Sequence, residues 1–240
     1  MARYAIKFSK ESEIKFISHL DLMKTIQRIV RRAKLPVEYS KGFNPHMSLS
    51  IAQPLSVGIY STGEYMDLVL ENEMPESEIK ELLIKNAPMG INIFEVVKTP
   101  PDVLNEKKLP QSMALLDAAA YNITIKYSEV EGLVSKLEEL LQKEEWNTIK
   151  KSKSGEKEVD IKTLIKSFKY EVHENLLKLD VLISCGSRAN LSPDLLSSFV
   201  KENTGGVYDD AFVDIKRKEI YTEVDDKLIP LIEYFKKISI

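Results

Sequence analysis

The order in which hydrophobic periodicities change along the first hundred residues constrains the fold most. ARYAIKFSK alternates Tyr4, Ile6 and Phe8 on one side, the mark of a half-buried strand. Leu20, Met23, Ile26, Ile29 and Val30 then recur at helical spacing, which predicts a helix over roughly 19 to 34. Ser18 with Asp21 three residues later gives that helix a capping-box-like start, and Pro36 stops it. VEYS and SLSIA read as short strands on either side of KGFNPH, a loop because Gly42 and Asn44-Pro45 break regular structure. EYMDLVLE, after the irregular QPLSVGIYSTG, reads as a buried strand. Pro75 opens a helix with Ile79, Leu82, Leu83 and Ala87 on its apolar side, and MGINIFEVVK closes the series as a strand. Strand, helix, strand, strand, helix, strand is the ferredoxin-like βαββαβ order.

The pattern recurs in the second half. AAYNITIKY is a strand, and EVEGLVSKLEELLQ is a helix with Val130, Leu133, Val134, Leu137 and Leu140 on one face. The charged KKSKSGEKEVDIK reads as a hairpin, and SFKYEVHENLLKLDVLISC as two strands turning at His173, Glu174 and Asn175. LSPDLLSSFVKE is a helix with Pro193 near its first turn, and AFVDIKRKEIYTE a last strand. DDKLIPLIEYFKKISI reads as a terminal amphipathic helix broken near Pro230. The expected fold class is α+β, with two tandem ferredoxin-like (βαββαβ) halves. The expected domains are 1–98 and 118–240, joined by a proline-containing linker over 99–117.

Composition excludes several function classes. The 240 residues include a single cysteine, Cys185, so no internal disulfide exists; its place in LKLDVLISC suggests a buried small hydrophobe. Three histidines and one cysteine make a zinc site improbable and leave an iron–sulfur cluster without ligands, so no metal or cofactor is expected. No apolar stretch approaches the roughly 20 residues that span a bilayer. The start, MARYAIKFSK, lacks a secretory signal, and the default expectation is a cytoplasmic protein. The net charge of −3 means that any nucleic-acid binding must rest on a local patch.

The densest polar cluster lies between His19 and Asp67. Arg28, Arg31 and Arg32 have i, i+3, i+4 spacing and share a helix face; Lys34 and Lys41 follow. Late cations complement the helix dipole, and arginine forks also match phosphate oxygens, so both readings stand at this point. In the loop, Phe43 is an aromatic beside glycine, suited to stacking on a base, and Asn44 offers a donor and an acceptor for a base edge. His46 and His19 are candidate acid/base catalysts, although an Asx-Pro turn explains His46 structurally and capping explains Asp21. Glu64 and Asp67 lie three apart on a strand, too mismatched for an acid/base pair; one of them is expected to bind an arginine of the basic helix. Arg188 precedes a helix N-terminus, a further anion-binding candidate. No phosphate-loop, dinucleotide or nucleophile-elbow motif occurs.

FISHLDLMKTIQRIVRRAKLPVEYSKGFNPHMSLSIAQPLSVGIYSTGEYMD resembles the signature of the radical-SAM-linked family of bacterial proteins, with GSRANLSPDLL and EKEVDIK similar to its later motifs. The resemblance spans nearly the whole chain. It implies a companion fused to, or encoded beside, a radical SAM protein, near genes for an E/G-type ribonuclease and ribosomal proteins. The chain has no C-x3-C-x2-C cluster motif, so it is not itself the radical generator. The leading expectation is an RNA-binding companion of a radical SAM enzyme, acting in tRNA or rRNA modification or processing. The alternatives are a stand-alone RNA-processing or RNA-modifying enzyme using His19 or His46, and a protein-interaction module that docks the radical SAM partner without RNA.

Overall fold

The computed structural model describes residues 1–100, 103–104, 107–152, 155–208 and 210–239. In chain order the elements are β1 (Ala2–Lys10), α1 (His19–Arg32), β2 (Leu49–Ile51), β3 (Tyr60–Leu70), α2 (Glu76–Asn86), β4 (Ile93–Lys98), β5 (Val103–Leu104) and β6 (Lys107–Lys108). Then follow β7 (Ala118–Lys126), α3 (Leu133–Gln142), β8 (Asn147–Ser152), β9 (Gly155–Asp160), β10 (Ile165–His173), β11 (Leu176–Ser184), α4 (Pro193–Thr204), β12 (Asp214–Val224), β13 (Lys227–Pro230) and α5 (Leu231–Ile238). The fold is mixed α+β with antiparallel strand pairing.

The chain divides into two compact units, Met1–Asp117 with Glu219–Ile240, and Ala118–Lys218. The first boundary lies between Asp117 and Ala118, so residues 99–117 fall within the first unit. The second differs from the expected 118–240, because the chain returns to the first unit for its last 22 residues. α5 buries Leu231, Ile232 and Phe235, Lys236 pairs with Glu95 of β4, and Ser239 donates to the Lys98 carbonyl at 2.6 Å. The expected terminal helix is also shorter, since β13 takes the residues up to Pro230 and pairs with β12.

In the first unit the strand order is β2-β3-β1-β4. One sheet face carries Tyr4, Ile6, Phe8, Met66, Leu68 and Leu70 into a core completed by Leu22, Ile26, Ile29 and Val30 of α1 and Ile79 and Leu83 of α2. Each such side chain contributes roughly 1.5–3 kcal/mol on burial. Leu20, expected on the apolar face of α1, is exposed instead. Residues 99–117 are more than a linker. Residues 101–102 and 105–106 of it lie outside the described ones, but Leu109, Ser112 and Leu116 are buried, and Ser112–Ala114 form a 3-10 turn.

The second unit has the strand order β10-β11-β7-β12. Trp146 anchors its core, stacked on Phe199 of α4 and edge-on to Phe168 of β10, with its indole N–H donating to the Leu140 carbonyl at 2.9 Å. α3 starts at Leu133 behind Gly132, which takes a left-handed φ of 70°, so Val130 falls outside the helix and stays exposed, as does Val134. The charged hairpin is β8 with β9; Lys153 and Ser154 of it lie outside the described residues. Cys185 is buried, as expected.

Candidate nucleic-acid interface

Two local devices position the basic helix. Lys10, itself buried, donates its ammonium to the carbonyls of Lys15 (2.9 Å) and Ile17 (3.1 Å), which fixes the approach to α1. Ser18 then caps the helix by accepting from the Asp21 backbone N–H at 3.2 Å, while its hydroxyl donates to the Asp21 carboxylate at 2.7 Å. The helix ends at Arg32, two residues short of the expected stop. Lys34 takes a left-handed φ of 54°, and Pro36 restricts the residue before it.

The chain then doubles back as a narrow hairpin. Val37 bridges Leu70, Tyr39 bridges Met47, and Ser48 donates its N–H to the Glu38 carbonyl at 2.8 Å. At the neck, the Ser40 N–H donates to the His46 carbonyl at 2.8 Å, and the His46 N–H to the Ser40 hydroxyl at 2.9 Å. The loop between these clamps is Lys41, Gly42, Phe43, Asn44 and Pro45, all exposed. Gly42 sits at φ 135°, a backbone conformation that glycine alone adopts without strain, and a Cβ there would meet nothing within 4 Å.

Between Leu22 and Ser48 the sequence holds six cations (Lys24, Arg28, Arg31, Arg32, Lys34 and Lys41) and one anion (Glu38), a local excess of five in a chain of net charge −3. Arg28, Arg31, Arg32 and Lys41 are exposed, and among the described residues none has a side-chain hydrogen bond or ion pair. Arg28, Arg31, Arg32, Lys41, Phe43, Asn44 and His46 therefore lie on one helix and the hairpin that follows it. Arg188 belongs to the second unit, where it is exposed in a loop ahead of α4, whose N-cap is Ser192.

The histidines do not form acid/base pairs among the described residues. His19 opens α1 half-buried, with its Nδ1 buried and without a hydrogen-bond partner. Asp21 is held by Ser18 and lies 3.7 Å from Lys24. His46 is exposed, and its described bonds are those of its backbone. No group of three potential metal ligands occurs among the described residues.

The expected pairing of Glu64 or Asp67 with the basic helix is corrected. Asp67 is buried and accepts from Ser112, from its N–H at 2.8 Å and its hydroxyl at 2.8 Å. Burial raises its carboxyl above the usual range, against the lowering effect of Ser112, Arg3 and Ser50. Arg3 lies nearby, donating to the Thr99 hydroxyl at 3.1 Å and the Leu109 carbonyl at 3.3 Å. Glu64 is fully buried on the core-facing side of β3, opposite Phe8. A second polar trio joins β1, β3 and β12 around the buried Tyr65: its hydroxyl donates to the half-buried Glu219 at 2.6 Å, the half-buried Lys7 pairs with the same carboxylate, and burial pushes the Tyr65 phenol far up. Sequence reading missed Ser112 and Glu219, which lie 45 and 154 residues from their partners with no local pattern to mark them. It also missed Tyr39, 41% exposed on the hairpin arm, because VEYS reads as an ordinary strand.

A family model described as "Uncharacterized protein conserved in bacteria (DUF2344)" matches residues 3–193. The chain belongs to this family. The DUF2344 match takes in α1, the hairpin and most of the second unit. No curated protein matches the chain. Among solved structures, that of an unknown protein from Galdieria sulphuraria is similar at 14% identity, over 93% of this chain and 99% of that one, with a TM-score of 0.25. A "putative glycine cleavage system transcriptional repressor" is similar at 13% identity, over 89% and 95%, with a TM-score of 0.21. At such TM-scores neither likeness bears on the fold or activity of this chain. Among the described residues, no helix is long and apolar enough to cross a membrane.

Proposed function

We propose that this DUF2344 chain is an RNA-binding companion of a radical SAM enzyme, acting in the cytoplasm in tRNA or rRNA modification or processing, with α1 and the Ser40–His46 hairpin as its RNA contact. One observation carries the reading. Arg28, Arg31, Arg32 and Lys41 are exposed without a described intramolecular partner, in a stretch that holds six cations and one anion. Unpaired guanidinium forks suit phosphate oxygens. The radical SAM link rests on the resemblance of the SHLD and GFNPH segments. Both units also read as ferredoxin-like, which the strand orders β2-β3-β1-β4 and β10-β11-β7-β12 support. The stand-alone enzyme draws no support from His19 or His46, neither of which has a described carboxylate partner.

Filter binding of total tRNA at two salt concentrations tests the proposal. Retention at low salt that falls steeply at the higher salt is expected. Absence of retention at low salt removes the RNA role and leaves the interaction module.

A further inference from the structure

We infer that the hairpin takes unpaired bases, so that its ligand is a single-stranded or looped RNA segment rather than a continuous duplex, with Tyr39 acting beside Phe43 as a stacking face. The inference rests on the RNA reading above and narrows it.

Phe43 is fully exposed at the hairpin tip, and no ring or cation contact engages it among the described residues. A large apolar side chain left there gains nothing for the folded chain, whereas covering it removes apolar surface from water and favours a partner. Its backbone is nonetheless held: the two Ser40–His46 bonds close the neck, and Gly42 supplies the φ of 135° that turns the chain just before it. An exposed aromatic on a held loop loses little freedom when it is covered, which favours binding. Tyr39 is exposed on the arm four residues earlier, and its hydroxyl has no described partner. Lys41 lies between the two rings in sequence, while Asn44 and His46 add polar groups at the same tip.

Aromatic faces alternating with a cation suit a strand whose bases are splayed outward, since each base stacks on a ring while its phosphate meets the cation. In an A-form duplex the bases are stacked on one another, and the major groove is too deep and narrow for side chains to read. The cations of α1 alone would bind either form, because they address phosphates common to both. The aromatic tip is what distinguishes them.

Fluorescence anisotropy decides the matter, using a fluorescein-labelled single-stranded RNA of mixed sequence, about a dozen nucleotides long, and the blunt duplex of that strand with its complement. The expected result is tighter binding of the single strand. Phe43→Ala should weaken the single strand by roughly 5- to 150-fold and leave the duplex unchanged. Tyr39→Ala should act in the same direction by less, and Phe43→Trp should retain binding. Equal affinity for both RNAs with a neutral Phe43→Ala overturns the unpaired-base inference. The RNA reading then survives if Arg28→Ala, Arg31→Ala and Arg32→Ala together weaken both ligands. Tighter duplex binding that Phe43→Ala weakens also overturns the inference, pointing to a wedge between paired bases. Binding of neither RNA overturns both readings.

Discussion

Two polar regions of the first unit lie roughly twenty residues apart in sequence and behave in opposite ways. On β3, Asp67 and Tyr65 are buried, and each is held by a partner from a distant segment: Ser112 for one, Glu219 for the other. On α1 and the hairpin, Arg28, Arg31, Arg32, Lys41 and Phe43 are exposed and undirected toward anything else described in the chain. Buried polar groups must be satisfied internally, because an unmet donor or acceptor costs about 1–3 kcal/mol. Exposed groups carry no such obligation and are available to a partner. The contrast separates residues that hold the fold from residues that act outside it, and Asp67, although within the stretch richest in candidates, belongs to the first kind.

The largest effect expected from breaking this contrast is on stability. Asp67→Ala leaves the buried Ser112 N–H without its acceptor, and should cost at least about 1–3 kcal/mol in urea unfolding. RNA affinity per folded molecule should stay unchanged. An RNA defect in the folded variant would erase the distinction between the two regions. Asp67→Asn sharpens the point, since its amide oxygen accepts the Ser112 N–H while its amide N–H donates to the hydroxyl. That variant should fold nearly as well but lose one pH dependence. The buried carboxyl has a folded pKa raised above its ordinary 3.8. Its contribution is fully present below about 3.8 and is lost as pH rises through the raised value. The stability of the parent relative to Asp67→Asn should therefore fall as pH increases over that window. A difference independent of pH would contradict the raised pKa.

Next in size is Gly42→Val. With nothing within 4 Å of the added Cβ, crowding is not the issue; the left-handed φ is. The strain is on the order of 1–3 kcal/mol if the loop keeps its shape. An exposed hairpin tip relaxes part of it by moving, so the loss should show mainly as weaker RNA binding. Native stability together with full binding would mean that the loop needs no special backbone.

His46→Ala should do least. The described bonds of His46 are backbone bonds to Ser40, which alanine keeps, so binding should remain largely intact. Mass analysis of RNA incubated with both proteins checks the remaining alternative. A product formed by the parent and not by the variant would make the chain an enzyme in its own right.

Local signals carried much of this structure in the sequence, and long-range ones did not. The Ser18 cap, the buried Ile26, Ile29 and Val30 of α1 and the breakers Gly42 and Asn44-Pro45 act within a few residues and are found where the local pattern places them, whereas Leu20 is exposed and Leu22 is buried instead. The hairpin residues were legible for the same reason, apart from Tyr39, whose exposure depends on an isolated bridge to Met47 rather than on a strand ladder. The partner of Asp67 was not legible. An aspartate in an apolar strand announces that it needs a donor, but nothing in LPQSM says that Ser112 supplies it. The return of Glu219–Ile240 to the first unit was equally hidden, since the amphipathic pattern of α5 states that a face is buried and not against what.

The central claim is that the exposed cations of α1 serve phosphates. It is tested most directly by the salt dependence of RNA affinity for the parent and for the Arg28→Ala, Arg31→Ala, Arg32→Ala triple variant. The parent should lose affinity linearly on a log–log plot against salt, and the variant should bind more weakly at low salt with a slope flatter by about one unit per lost contact, about three in all. A triple variant that binds RNA as tightly as the parent at every salt concentration would contradict the account.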